Sequence, residues 1–276
     1  MMRSLWTAAS GMRAQQVNVD TIANNVANIN TIGYKSQQAS FKSLLYQNLQ
    51  STSTNNAGEN KPVAAEVGLG SRVAAITSTF TQGNLTHVEN PFSVALEGDG
   101  FFQIRTESGE LQYTRDGSFE ISPVANGNML CTSDGNPVLD AYGNQIILPS
   151  NRVATDLVVN QDGILAFPDG TGNPAVITDA NGRPVKFGIY QFNNPAGLSK
   201  EGSNNYSVTV ASGAAVAENG NAAVKQTKTH QYYTEASNVD VANEMVNLIV
   251  AQRAYEMNSK AIQASDEMMQ QANALR

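Results

Sequence analysis

The sequence predicts an α+β protein whose N- and C-terminal helices pair as an antiparallel coiled coil, with a mainly antiparallel β domain inserted between them. Three observations carry this expectation. The two ends, Ser4 to Ile29 and Ser237 to Ala272, repeat apolar residues at helical spacing, and the second contains neither Gly nor Pro. The stretch from Val67 to His230 holds every proline except Pro62 and most of the glycines, with short alternating apolar runs between them. The ends also differ in charge. Residues 1–46 carry four basic and one acidic side chain, residues 232–276 three basic and six acidic, so they attract each other modestly.

In the first helix Leu5, Met12, Val19 and Val26 recur every seven residues, with Ala8, Gln15, Ile22 and Ile29 three after each. That is a heptad seam. Gly11 is its one weak point, and the helix is expected to end near Asn30 to Gly33, where Asn, Thr and Gly gather. Phe41 to Leu49 reads as a short apolar continuation, so residues 1–46 are assigned to a helical core domain. Residues 47–66 follow as a polar linker or extended arm. Its segment QSTSTNNAGENKPVAAE, Gln50 to Glu66, has little to bury.

Residues 67–231 form the expected β domain. Its clearest strand-like runs are Ser93 to Leu96, Phe101 to Arg105, Gln112 to Arg115, Gln145 to Leu148, Leu157 to Val159, Val185 to Phe192 and Tyr206 to Val210. Asp-Gly at 99, 116, 134, 162 and 169 and Asn-Gly at 126, 181 and 219 are hairpin-turn signals. A turn role for these aspartates outweighs calcium ligation, because no EF-hand spacing is present.

Residues 232–276 return to the helical core. Ser237, with Asp240 three residues on, offers a capping pattern, and the helix would extend roughly 54 Å at about 1.5 Å per residue. Val241, Leu248, Tyr255, Ile262 and Met269 form one narrow stripe, suited to a single partner helix. Val239, Val246, Val250, Met257, Ala261, Ala264 and Met268 line a second face about half a turn away. One partner cannot bury both. The candidate assembly interface is therefore Leu5, Met12, Val19, Ile22 and Val26 on the first helix, Val241, Leu248, Tyr255 and Ile262 on the facing stripe, and Val246, Val250, Met257 and Met268 on the second face.

Composition narrows the function classes. The chain has 276 residues, 41% hydrophobic and 15% charged, and its net charge of −7 argues against nucleic acid or an anionic membrane surface as partner. No apolar run is long enough to cross a bilayer, so no membrane insertion is expected, and no cleavable secretory signal is evident at the start. These signals alone point to the cytosol. Single Cys131 excludes an intrachain disulfide and reads as an inert buried thiol, while two histidines, His87 and His230, give no structural zinc cluster. Neither nucleophile elbow, metalloprotease pair nor phosphate loop is present. Gly68-Leu69-Gly70 and Gly98-Asp99-Gly100 read as turns, and nothing in the sequence gives His87 a catalytic partner. The expectation is a non-enzymatic protein without cofactor or metal.

MRSLWTAASGM at Met2 to Met12 and NVDTIANNVANINTIGYK at Asn18 to Lys35 resemble the amino-terminal signature of bacterial flagellar rod and hook proteins. EASNVDVANEMVNLIVAQRAYEMNSKAIQASDEM at Glu235 to Met268 resembles that family's carboxyl-terminal helix. GDGFFQI at Gly98 and YTRDGSF at Tyr113 resemble its β-domain core, and GLGSRVAAI with TQGNL extends the likeness to Leu85. Residues 124–229 depart more freely. The resemblance, closest to the distal-rod branch, implies a self-assembling homopolymer whose helical ends line a torque-transmitting tube with the β domain outside. Its implied partners are proximal rod proteins, the hook protein, the ring proteins that act as a bushing around the rod, and the flagellar export apparatus. Export by that route replaces the cytosolic expectation and needs no cleaved signal. A proximal rod or hook subunit is the alternative within the family. A secreted β-domain carbohydrate-binding or hydrolytic protein with helical dimerisation ends is the alternative outside it.

Overall fold

The computed structural model describes residues 2–50, 65–125, 127–150, 152–168, 174–179, 182–221 and 224–274. They fall into two compact units. One comprises Met1–Ala27, Gln37–Ser78 and Asp240–Arg276, the other Asn28–Ser36 and Thr79–Val239. The chain therefore passes from one to the other four times.

The helical unit contains α1 (Met2–Ala27) and α2 (Val241–Ala274). They run side by side in opposite directions. Ser4 Oγ lies 3.3 Å from Ser265 Oγ near one end, and Asn25 Nδ2 donates to Glu244 Oε1 at 2.9 Å near the other. Between these, a Cβ at Gly11 would stand 2.9 Å from the Asn258 amide nitrogen. Gly11 thus lets α2 approach; the apparent weak point is a point of contact. Small side chains dominate here, with Ala8, Ala14, Ala251 and Ser265 all buried, so the backbones can lie close while little apolar area is removed from water. Asp240 caps α2, its Oδ1 accepting from the backbone N–H of Ala242 at 3.0 Å.

The chain leaves α1 at Ala27, two residues before the apolar repeat ends. Phe41 to Leu49, expected as a short apolar continuation of the helical core, falls in strands β1 (Gln37–Ser43) and β2 (Tyr46–Gln50) and the two residues between them. Gln-Gln-Ala-Ser-Phe alternates where a helix would need a stripe, and alternation favours an extended chain. Strands β3 (Ala65–Gly68) and β4 (Ser71–Ser78) return antiparallel. β4 pairs with β1 from Gln37 opposite Ser78 to Ser43 opposite Ser71, with a bulge at Ser40/Phe41, and β3 pairs with β2. Most of the arm, 51–64, lies outside the described residues; its two ends are these paired strands.

The β unit opens with β5 (Leu85–His87), β6 (Val94–Glu97), β7 (Phe101–Arg105) and β8 (Leu111–Thr114). After these come β9 (Glu120–Val124), β10 (Gly127–Cys131), β11 (Ile147–Leu148), β12 (Val158–Val159), β13 (Leu165–Pro168) and β14 (Pro174–Val176). The last six are β15 (Ile189–Gln191), β16 (Ser199–Gly202), β17 (Asn205–Ser207), β18 (Val216–Ala217), β19 (Lys228–Gln231) and β20 (Tyr233–Glu235). Its largest sheet has the order β16-β17-β8-β7-β15-β18 and is antiparallel throughout. Each strand-like run of the sequence overlaps a strand.

β7 shows why both faces of this sheet are covered. Phe102 and Ile104 point into the main core with Phe119, Leu130, Val138 and Phe187, while Phe101 points the other way, to Tyr113, Phe192, Leu198 and Tyr206. Successive side chains alternate between faces, so the first four residues of FFQIR can all be buried only between two cores. The Asp-Gly signal at 116 is not a hairpin turn. Gly117 packs against the Val94 carbonyl, where a Cβ would clash, and its own carbonyl accepts from Val94 N–H at 2.9 Å.

Candidate assembly surface

The exposed face of α2 is the most unusual surface of the helical unit. Val246, Val250, Met257 and Met268 are exposed, Val250 and Met257 by 62% and 66%, and Met245 and Ile249 lie exposed beside them. Large apolar side chains aligned on one helix face and left in water mark an interaction site. The facing stripe divides. Leu248, Ile262 and Met269 are half-buried, whereas Val241 and Tyr255 are exposed. On α1 Ile22 is buried and Leu5, Met12, Val19 and Val26 are half-buried. The facing stripe is thus partly covered, and among the described residues the second face of α2 is exposed.

Asn25, which no periodicity singles out, is the polar anchor of this unit. It is almost wholly buried. Its Nδ2 donates to the Gln37 carbonyl at 2.8 Å as well as to Glu244, and its Oδ1 accepts from Gln37 N–H at 2.8 Å. One amide side chain therefore joins α1, β1 and α2. A buried amide is tolerated because it is paired on both sides.

The β unit holds a second constellation, made of the motifs that carry the sequence resemblance. Lys35 Nζ meets Glu235 Oε1 at 2.6 Å and Arg115 Nη1 meets Oε2 at 3.3 Å, with all three side chains at most 1% exposed. Backbone groups supply further hydrogen bonds, and Arg115 Nε is left buried without a partner among the described residues. Lys35 Nζ donates to the Thr81 carbonyl, Arg115 Nη2 to the Gly98 carbonyl, and Gly83 N–H to Glu235 Oε1. The Arg115 guanidinium also lies 5.1 Å from the Phe101 ring centre. Burial pushes the Lys35 ammonium down from its ordinary value, and the Glu235 carboxylate opposes that shift.

Gly33 explains why the TIGYK turn needs its glycine. Its φ is +70°, and a Cβ would come 2.8 Å from the Asp116 backbone nitrogen. Its N–H donates to the Glu235 carbonyl at 2.8 Å. Nearby, Asn238 Oδ1 accepts from Ser36 N–H at 2.7 Å while its Nδ2 donates to the Thr79 carbonyl at 2.8 Å. Residues 36, 79 and 238–239 are chain crossings, and a single side chain binds them together within this unit. Lone charged residues far apart in sequence give no sign of this pairing.

The other residues considered for chemistry are dispersed. His87 is exposed and stacks on Tyr232, and His230 meets Glu97 at the surface at 2.7 Å. Cys131 is buried, and burial pushes its thiol up. Among the described residues no three His, Cys, Asp or Glu side chains are grouped to hold a metal, and no helix is long and apolar enough to cross a membrane.

Three family descriptions match the chain: "Flagella basal body rod protein" at residues 5–35, "Flagellar hook protein FlgE/F/G D1 domain" at 95–167, and "Flagellar basal body rod FlgEFG protein C-terminal" at 230–275. Full-length relatives agree. The flagellar basal-body rod protein FlgG of Borreliella burgdorferi is 43% identical over 282 residues, covering 100% of this chain and 99% of the relative. Those of Buchnera aphidicola from Acyrthosiphon pisum and of Caulobacter vibrioides are 37% and 38% identical, with both chains covered completely. With matching signatures at both ends and identity along its whole length, the chain belongs to the flagellar basal-body rod protein FlgG family.

Proposed function

We infer that this chain is a structural subunit of the bacterial flagellar basal body, in the distal rod, and acts by polymerising rather than by catalysis. The observation that carries this reading is the exposed apolar face of α2 on a chain of the FlgG family. A rod subunit has to join copies through surfaces that do not close on themselves, and a helix with one face packed in the subunit and another open supplies such a surface. The helical ends pair as an antiparallel coiled coil, with Leu5, Met12, Val19, Ile22 and Val26 against Leu248 and Ile262, and with Val241 and Tyr255 at its edge. Val246, Val250, Met257 and Met268 meet neighbouring copies.

Within the basal body the subunit adjoins proximal rod proteins below and the hook protein above. Ring proteins surround it, and the flagellar export apparatus delivers it. The arm at 50–66 locks adjacent copies. Electron microscopy of hook and basal-body preparations carrying a tagged chain tests the placement: label confined to the distal rod is expected, and label on the hook or proximal rod overturns it.

A further inference from the structure

We propose that Met245, Met257 and Met268 on α2 are sites of reversible oxidation to methionine sulfoxide by peroxide, and that this modification decides whether a free subunit can assemble. The proposal rests on the rod-subunit reading and adds a chemical switch to the surface that reading assigns.

The chain has eight methionines. Of these, Met245, Met257 and Met268 are 57%, 66% and 49% exposed, whereas Met12, Met129 and Met269 are half-buried. Oxidation of a thioether follows access to its sulfur, so the three exposed side chains on α2 react first. A sulfoxide left in water would be harmless. The position of these three gives it a consequence: Met257 and Met268 share a helix face with the exposed Val246 and Val250, and Met245 lies exposed beside Ile249. The surface that joining copies would bury is the one that peroxide reaches first.

The chemistry balances with hydrogen peroxide as the oxidant. The methionine sulfur attacks one peroxide oxygen and gives up two electrons, so that an S–O bond forms as the O–O bond breaks. The proton on the transferred oxygen passes to the departing one, which leaves as water. Reduction by a sulfoxide reductase reverses the change, because two thiols become a disulfide and the sulfoxide oxygen leaves as water. Within the subunit nothing is disturbed, since the three side chains stay in water. Between copies the S–O group becomes a buried acceptor with no donor built to meet it, and burying an unpaired polar group opposes association. Oxidised chains therefore stay folded and fail to join, and copies already in a rod are shielded.

The test has two parts, both with the full-length chain. Soluble subunit and isolated basal bodies are given the same dose of hydrogen peroxide, and added oxygen is located by peptide mass spectrometry. In the subunit it should appear at Met245, Met257 and Met268 before Met12, Met129 and Met269, with an unchanged circular dichroism spectrum, and in basal bodies the same three should be spared. Cells lacking their own copy and their sulfoxide reductases are then grown in sublethal peroxide. The unaltered chain should lose its rods, whereas a chain carrying Met245→Leu, Met257→Leu and Met268→Leu, which keeps size and apolarity, should retain them, and restoring the reductase should rescue the unaltered chain. Equal loss or equal survival of rods with the two chains overturns the switch, as does equal oxidation of the three sites in subunit and basal body. Absence of the unaltered chain from the rods of unstressed cells overturns the rod reading instead.

Discussion

The two units bury opposite things. The β unit encloses a core of phenylalanine, leucine and isoleucine on both sides of its main sheet and even closes an ionic triad, Lys35–Glu235–Arg115, inside it. The helical unit buries mostly small or polar side chains, Ala8, Ala14, Asn25, Ala251 and Ser265, with Ile22 as its large apolar exception, and leaves Val246, Val250, Met257 and Met268 in water. A unit that hides its large apolar groups can be stable alone, whereas large apolar groups left in water along a helix face mark an interaction surface. The difference separates what folding satisfies in this chain from what it leaves open.

The sharpest way to break the comparison is to break the triad. Glu235→Ala leaves Lys35 and Arg115 charged and buried without a counter-ion, and removing one partner of a buried ion pair costs about 3–5 kcal/mol. Urea unfolding should register that loss in the β unit. A fragment spanning 67–230 lacks both Lys35 and Glu235 and should be unstable, whereas 28–239 retains all three charges and should fold.

A second test uses the alkaline side. Burial pushes the Tyr206 phenol up to about 12 from its ordinary value of 10.0. A raised pKa means the folded state holds the proton more tightly, so this contribution is fully present below pH 10 and lost as pH climbs through 12. At about 1.4 kcal/mol for each pH unit it amounts to roughly 3 kcal/mol. Denaturant midpoints of the intact protein between pH 9 and 12 should show the decline, and Tyr206→Phe should remove that part of it.

Charges placed on the two faces of α2 separate folding from assembly. Leu248→Asp puts an unpaired carboxylate in the helix contact, at a cost of about 1–3 kcal/mol, and should loosen α1 and α2 in the monomer. Met257→Asp, on an exposed position, should change subunit stability by less than about 0.5 kcal/mol and still abolish rods and motility. Normal rods in Met257→Asp cells would remove the second face from the interface.

The smallest expected effect is kinetic. In a dilute monomer the amides of α1 and α2 should exchange faster than those of β7 and β8, because a helix pair cemented by small residues opens at lower cost than a two-sided core. Uniformly slow exchange in both helices of a verified monomer would erase the contrast between the units.

By itself the sequence determined what periodicity can encode: two helices at the ends, strands between, and a second apolar face on α2 that one partner could not cover. Period and composition act locally, so the apolar repeat up to Ala272 announces a helix without reference to anything else, although that helix starts at Val241 and is capped by Asp240 rather than Ser237. Only the tertiary structure decided the rest. It turned residues 37–50 into paired strands, because their partners lie in 65–78 and a pairing is invisible from one strand. It made Gly11 a contact, since its value depends on Asn258 across the helix pair. It also gathered Gly33, Lys35, Arg115 and Glu235 into one buried constellation and set Asn238 across the neighbouring chain crossings. A buried charge is satisfied by geometry, and no spacing along the chain specifies which distant residue will supply its counter-charge.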